Sequence, residues 1–155
     1  GIRDLVRSRG LGDVYKRQLN SPLAEIKADV CNLPFENNSY DLVLCNHVLE
    51  HVSNDKLAVR ELFRVLKKGG VLIAQVPLDL NRKATFEDPS VIDKEERKKV
   101  FGQYDHVRIY GKDYFDLLDS VGFESHCISF TERLSKREIK KFGLQHDHIP
   151  LAYKN

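Results

Sequence analysis

The sequence predicts an α/β fold built on a largely parallel sheet that ends in an antiparallel pair of strands. Residues 40–45 and 71–76 are continuous apolar runs of strand length, typical of strands covered on both faces. Between them, residues 54–68 repeat apolar side chains at helical spacing, and Gly69 and Gly70 then favour a helix end. Strand, helix and strand in this order predict a parallel βαβ unit.

The remaining elements are predicted from N-cap residues, glycine stops and apolar spacing. They are a weak strand at 24–30, a turn-rich loop at 33–39, a short helix at 93–100, a helix from 112 to 121, a strand at 123–130, a charged helix or loop at 131–141, and a last strand at 148–154. The two late strands are expected to pair in antiparallel fashion at the end of the sheet.

The composition is that of a single globular domain. The chain has 155 residues, of which 41% are hydrophobic and 31% charged. No apolar run approaches the roughly 20 residues that span a bilayer, and the N-terminus lacks the apolar core of a secretion signal. Cys31, Cys45 and Cys127 have no C-x-x-C spacing. We therefore expect free thiols, no structural zinc site and a cytoplasmic location.

Residues 1–18 are interpreted as a non-native leader. Residues 13–18 back-translate to a DNA string that encodes residues 2–4 in another frame, and this string resembles a transposon end used in sequencing libraries. The leader holds five Lys or Arg against two Asp, so the other residues hold 20 basic against 21 acidic ones. This balance therefore gives no indication of a nucleic-acid partner. Residues 19–155 are expected to be the C-terminal part of one domain, with 78–104 as a lid-like insertion.

Three stretches resemble the class I S-adenosylmethionine-dependent methyltransferases of the type 11 group. The first two are ADVCNLPFENNSYDLVLCNHVLEHV at 28–52 and RELFRVLKKGGVLIAQVP at 60–77. In that family an acidic residue precedes LPF, a (F/Y)D-x-V strand follows, and LEHV leads to a helix ending in LKPGG. Lys68 stands here in place of that proline. Residues 105–124, DHVRIYGKDYFDLLDSVGFE, resemble the family's H-x-R-x-(Y/F) segment, helix and GF.

Four motifs in this order imply a partial Rossmann-like methyltransferase sheet, strands three to seven, within residues 24–155. The resemblance also implies S-adenosylmethionine as the cofactor and methyl transfer as the reaction. The acceptor would be a small molecule or a lipid-like intermediate. A non-catalytic binding module of the same fold is the alternative.

The resemblance assigns the cofactor site to Asp29, Val30, Leu33, Asn46 and His47. The Asp29 carboxylate would accept a hydrogen bond from the adenine amino group, the Val30 N–H would meet a ring nitrogen, and Leu33 would pack on the adenine. Asn46 and His47 follow the carboxyl end of the first buried strand, where open α/β sheets bind ligands, and would line the methionine end. The alternatives are a turn-capping Asp29 and a helix-capping Asn46.

His106 is the candidate catalytic residue. In the family this region folds back over the active site, where an imidazole can deprotonate a hydroxyl or amine near neutral pH. A histidine hydrogen-bonded within its own loop is the alternative. Methyl transfer itself mainly requires that the acceptor atom, the methyl group and the sulfur are positioned in line, because the sulfonium is already activated.

Residues 47–51, HVLEH, also match the H-x-x-E-H motif of inverted zinc peptidases. That motif needs both histidines on one long helix, whereas this segment follows directly on a buried strand. Ubiquinone-biosynthesis O-methyltransferases carry E-x-x-E-H and can hold a divalent ion there. Because His47 replaces the first glutamate, no metal ligand is assigned, and Glu50 and His51 are expected to position the following helix.

The family's glycine-rich cofactor loop would precede Leu19, and none of the nine glycines forms a G-x-G-x-G array. Side chains elsewhere cannot replace the backbone N–H groups of such a loop. We therefore expect this chain alone to bind S-adenosylmethionine weakly or not at all. The strand at 40–45 is further expected to be an apolar sheet edge, which promotes aggregation.

Overall fold

The computed structural model describes residue 26, residues 28–143 and residues 148–155. Its strands are β1 (Tyr40–Leu44), β2 (Leu66–Ile73), β3 (Phe86–Glu87), β4 (Arg108–Ile109), β5 (Phe123–Ser129) and β6 (His148–Lys154). Its α-helices are α1 (Asp55–Val65), α2 (Lys94–Phe101), α3 (Tyr114–Asp119) and α4 (Lys136–Phe142), and its 3-10 helices are η1 (Leu49–His51) and η2 (Phe130–Arg133).

The main sheet has four strands in the order β1-β2-β6-β5. β1 pairs with β2 in parallel, whereas β6 is antiparallel to both β2 and β5. The two-residue strands β3 and β4 form a separate antiparallel pair. The predicted α/β class and the antiparallel pair at the end of the sheet are therefore confirmed.

Helix α1 begins where the sequence predicts and ends earlier than predicted. The Asn54 side chain caps it by accepting a hydrogen bond from the backbone N–H of Leu57 at 3.0 Å. The expected end at Gly69 is wrong, because Leu66 is already extended and pairs with Tyr40 in the sheet. Gly69, at φ +78°, lies instead in an irregular stretch of β2, where the pairing with β1 shifts register.

The predicted strand at 24–30 is not formed in the part that the structure describes. Residues 24, 25 and 27 lie outside the described residues. Asp29 makes an isolated bridge with Asn32, and Val30 and Cys31 form the turn between them. Asp29 therefore forms a local turn with its neighbours instead of pairing in the sheet.

The later elements agree with the expectations in position and type. Helix α2 is capped by the Asp93 carboxylate, and α4 begins with a capping box between Ser135 and Glu138. Helix α3 ends at Asp119, three residues before the predicted glycine stop, because the chain turns there to enter β5. Among the described residues, no helix is long and apolar enough to cross a bilayer.

The core lies between α1, α3 and the sheet. From α1 it takes Ala58, Val59, Leu62 and Val65, all fully buried. Tyr110 and Tyr114 are its largest side chains, and the Tyr114 hydroxyl donates to the carbonyl of Ala74 at 2.9 Å. The core thus fixes the carboxyl end of β2, the edge at which the predicted site residues lie.

Candidate functional site

The ends of β1 and β2 stay joined beyond their last paired residues. The N–H of His47 donates to the carbonyl of Gln75 at 2.7 Å, and the N–H of Gln75 donates to the Asn46 side-chain oxygen at 3.4 Å. The predicted helix-capping role of Asn46 is not observed, since α1 is capped by Asn54. Asn46 and His47 therefore lie at the carboxyl edge of the parallel pair, where α/β sheets bind ligands.

His47 has a left-handed backbone conformation, with φ +54°. Such a φ is uncommon for a residue other than glycine and recurs at functional sites. It turns the chain from β1 into η1, so that Glu50 and His51 point into the interior, with 1% and 8% exposure. Glu50 and His51 belong to η1 itself, so their expected role in positioning the following helix, α1, remains a prediction.

Asp29 adopts the turn-capping alternative. Its Oδ1 accepts a hydrogen bond from the backbone N–H of Cys31 at 2.8 Å, and its carbonyl accepts one from Asn32 at 2.9 Å. Val30 is fully buried and Leu33 is 4% exposed, both within the core. The contacts of Asp29, Val30 and Leu33 with adenine therefore remain predictions, and that of Leu33 requires its loop to move.

An ion pair between Glu61 and Arg64 on α1 holds the 33–37 loop against the helix. Glu61 accepts from the N–H of Leu33 at 2.8 Å, and Arg64 donates to the carbonyls of Leu33 and Phe35 at 2.9 and 2.7 Å. The Arg64 guanidinium holds the pKa of Glu61 below its usual value, with the bond from Leu33 contributing. The sequence places both residues on the outer face of the helix and gives no sign that they organise this loop.

A carboxylate among imidazoles forms the most unusual feature of the site. Glu50 Oε1 lies 3.3 Å from His47 Nδ1, 3.7 Å from His51 Nε2 and 3.9 Å from His106 Nε2. Although these contacts are close, neither Glu50 oxygen accepts a hydrogen bond of acceptable geometry from the described residues. Burial, assisted by the charge of Glu50, also raises the pKa of the neighbouring Cys45 thiol to about 12.

His106, the predicted catalytic residue, is buried at 7% exposure. Its Nδ1 lies 3.3 Å from the carbonyl of Phe101, so the predicted alternative of a hydrogen-bonded loop histidine is observed. Its ring packs edge-on against His51, with centroids 4.6 Å apart. A role as the general base remains a prediction, and in this conformation its Nε2 faces Glu50.

The H-x-x-E-H match does not have the geometry of an inverted zinc peptidase. His47 precedes η1 in a left-handed turn, whereas His51 is the last residue of that 3-10 helix. The two imidazoles therefore do not project from one long helix, as that class of enzyme requires.

The 78–104 segment is anchored to residues 108–110. Leu78 forms a bridge with Tyr110, and β3, inside the segment, pairs with β4. A cavity of about 360 Å³ lies between this segment, the start of α1 and α3, lined by Asp55, Thr85, Glu87, Tyr110, Asp113, Tyr114 and Leu117. Its carboxylates are engaged within the protein, Asp113 by Thr85 and Asp55 by Tyr110.

Part of the chain is similar to known methyltransferases. A family model described as a methyltransferase domain matches residues 9–74. A demethylmenaquinone methyltransferase of Chlamydia trachomatis is 34% identical over 84 residues, which are 54% of this chain and 35% of that protein. This chain is therefore similar to methyltransferases over part of its length. The expected enzyme class and the expected cofactor, S-adenosylmethionine, agree with that similarity.

A second relative matches a shorter stretch of the chain. An uncharacterized protein of Methanocaldococcus jannaschii is 50% identical over 52 residues, which are 34% of this chain and 23% of that protein. The chain therefore spans about a third or less of the length of these two relatives.

Solved structures share the fold of this chain at low identity. A SAM-dependent methyltransferase of Thermotoga maritima, described as a possible histamine N-methyltransferase, superposes with a TM-score of 0.51 at 20% identity, covering 84% of this chain and 63% of that one. The [4+2]-cyclase SpnF superposes with a TM-score of 0.53 at 19% identity, covering 83% and 56%. Because one neighbour is described as a cyclase, the fold alone does not decide the reaction.

The sequence did not reveal the convergence of His106 on Glu50 and His51. The motif spacing located each residue, but 55 residues separate His51 from His106, and no periodicity relates them. The available signal was chemical: three histidines and a glutamate lie in motifs that the family places at one edge of the sheet.

Proposed function

We propose that this chain forms part of an enzyme that transfers a methyl group from S-adenosylmethionine to a small-molecule acceptor. The observation that supports it is the junction at the carboxyl edge of β1 and β2, where Asn46 and His47 are held against Gln75. Ligands of open α/β sheets bind at this edge. The chemistry requires the donor methyl, the sulfur and the acceptor atom to be held in line, which a rigid strand edge favours.

Each cofactor residue has a separate role in this proposal. Asp29 would accept from the adenine amino group through a carboxylate that the turn at Cys31 already orients. Asn46 and His47 would contact the methionine part of the donor, the first through its amide and the second through its exposed imidazole edge. When bound, S-adenosylmethionine supplies an activated methyl group, so these residues bind and orient rather than activate it.

A lipid-like acceptor is the finer proposal. The names of two relatives support it: the demethylmenaquinone methyltransferase described above, and a sterol 24-C-methyltransferase of Schizosaccharomyces pombe that is 38% identical over 56 residues. The 78–104 segment, proposed as the lid, carries Ile92 with 76% exposure, and Phe86 at 36%. Apolar residues on a lid favour an apolar acceptor. The free thiols support a cytoplasmic location.

Photochemical labelling tests the proposal without knowledge of the acceptor. Ultraviolet irradiation with methyl-tritiated S-adenosylmethionine at millimolar concentration should label peptides that contain residues 40–54, even if binding is weak. Asp29→Ala and Asn46→Ala should each reduce labelling several-fold, because loss of one hydrogen bond costs about 1 kcal/mol. Excess S-adenosylhomocysteine should compete.

Asp41→Ala is the matched control. Asp41 lies at the opposite, amino end of β1, with its side chain 83% exposed and paired with Lys67. Its replacement should leave labelling unchanged. Absence of labelling at millimolar donor, or equal labelling of all variants, would overturn the proposal. A micromolar dissociation constant by calorimetry would contradict only the expectation that this chain alone binds weakly.

A further inference from the structure

The Glu50 carboxylate is buried in surroundings that methyl transfer does not explain. Its side chain is 1% exposed, and no described residue donates a hydrogen bond to either oxygen. A buried carboxylate is strongly unfavourable unless a cation or several donors compensate it. Among the residues that the structure describes, no Lys or Arg forms an ion pair with it, and its close neighbours are imidazoles.

Two of these imidazoles are oriented as metal ligands are. His51 Nδ1 lies 3.1 Å from the carbonyl oxygen of Asp105 and 3.3 Å from its carboxylate, and His106 Nδ1 lies 3.3 Å from the carbonyl of Phe101. A carbonyl oxygen only accepts, so each Nδ1 carries the proton. In the neutral imidazole, Nε2 then presents a lone pair, and both Nε2 atoms face Glu50. Metal-bound histidines are held in this way by an outer carbonyl or carboxylate.

The spacing of the ligand atoms also fits an ion. Two ligand atoms bound at 2.0–2.1 Å in tetrahedral geometry are about 3.4 Å apart. The three imidazole nitrogens lie 3.3, 3.7 and 3.9 Å from Glu50 Oε1. The ligand atoms of Glu50, His51 and His106 all lie within 4.8 Å of one another. His47 lies outside this convergent group and contacts only Glu50 of its members, so its more exposed side chain would have to turn to join them.

We propose that His47, Glu50, His51 and His106 bind one divalent transition-metal ion. Three imidazoles and one carboxylate favour zinc or a similar first-row ion, whereas magnesium and calcium prefer oxygen ligands. The ion would be reached past His47, whose side chain is 35% exposed while those of the other three are 9% exposed or less. The ion would lie between the Nε2 atoms of His51 and His106 and the Glu50 carboxylate.

Such an ion would connect two parts of the chain. His47, Glu50 and His51 belong to the segment that leaves β1, whereas His106 lies just after α2, where the 78–104 segment returns to the sheet. The backbone already joins them through the hydrogen bond from Val107 N–H to the Glu50 carbonyl at 2.9 Å. A bound ion would therefore stabilise the closed position of the proposed lid.

Titration with Co²⁺ tests this site directly, since its visible absorption reports on the number and type of protein ligands. The expected result is one equivalent bound, with the absorption of a four-coordinate nitrogen and oxygen site, displaced by Zn²⁺ and unaffected by excess Mg²⁺. Glu50→Gln and His106→Ala should abolish this absorption. Asp105→Ala should weaken affinity about 10- to 100-fold, because it removes the carboxylate partner of His51 Nδ1.

His126→Ala is the matched control. His126 also faces a glutamate, Glu124, at 3.3 Å, but both side chains are about half exposed on β5. This variant should bind Co²⁺ as the parent chain does. No stoichiometric binding by the parent chain, or undiminished binding by Glu50→Gln, would overturn the proposal. The titration contains no S-adenosylmethionine, so its failure and that of the methyl-transfer proposal are separately visible.

A second measurement on the unmodified chain covers the case in which the variants fail to fold. Zn²⁺ should shift the ring nitrogen NMR signals of His47, His51 and His106 and leave that of His126 in place. It should also raise the melting temperature in a concentration-dependent way that a chelator reverses. Signals that shift only at His126, or no shift at all, would contradict the site.

Discussion

Arg108 Nη1 lies 3.2 Å from Asp55 Oδ2, in an ion pair that connects β4 to the first residue of α1. The Arg108 side chain is only 2% exposed, and its guanidinium also donates to the carbonyls of Leu49 and Val52 at 3.1 and 2.6 Å. Glu87, from β3, pairs with its Nε. A single guanidinium therefore connects η1, the start of α1 and the β3–β4 pair.

Replacing Arg108 with Met should destabilise the fold by about 3–5 kcal/mol, because it leaves the buried carbonyls of Leu49 and Val52 and the partly buried Asp55 carboxylate without their donor. Urea denaturation measures the change in the free energy of unfolding. Arg60→Met, on the exposed face of α1, is the control and should shift it by less than about 0.5 kcal/mol. A comparable small effect at Arg108 would show that solvent reaches this network.

Glu61 should make stability depend on acid pH. Its pKa is lowered from the ordinary 4.5 by Arg64 and the Leu33 N–H, so the folded state binds the proton less readily than the unfolded one. This stabilisation is complete above the unfolded pKa and is lost as pH falls through the lower, folded pKa. Glu61→Gln should therefore flatten the loss of stability between about pH 5 and 3.

Thermal melts at matched ionic strength measure this dependence. Asp41→Asn is the comparison, because its ion pair with Lys67 is exposed and contributes little. If the parent chain and Glu61→Gln lose stability in parallel on acidification, the loop is not held by the charge of Glu61.

Gly70 should tolerate alanine poorly. A Cβ there would lie 2.8 Å from the carbonyl oxygen of Lys67 and 3.3 Å from that of Asp41. Both are backbone atoms, which cannot rotate away as the end of a side chain can. Gly69→Ala meets no atom within 4 Å but must keep φ +78°, a strain of about 1–2 kcal/mol. We expect Gly70→Ala to lower the free energy of unfolding more than Gly69→Ala in urea titrations. The reverse order would show that β2 adjusts at Gly70.

These two glycines show where prediction from sequence stopped. Local patterns located β1, α1 and β6, because apolar runs, caps and periodicity act within a few residues. A glycine pair is compatible both with a helix end and with an irregular strand. Here the strand forms, because Leu66 pairs with Tyr40, 26 residues away. In the same way, the position of Asn46 could be predicted from the strand before it. The approach of His106 to Glu50 depends on tertiary packing of the whole 78–104 segment, which no local pattern encodes.

The three thiols should differ in reactivity according to burial. Cys45 is 1% exposed beneath the carboxyl edge of β1, whereas Cys127 is exposed on β5 and Cys31 is half-buried. Thiol reagents require access to the sulfur atom and the thiolate form of the side chain. Burial blocks access and disfavours the thiolate. In native protein at pH 8, iodoacetamide should modify Cys127 first, Cys31 more slowly, and Cys45 only when denaturant is added. Mass spectrometry of peptides from a time course measures the order, with fully denatured protein as the reference. Modification of Cys45 in native protein at the rate of Cys127 would mean that the end of β1 opens to solvent, and the rigid edge on which the cofactor proposal depends would be lost.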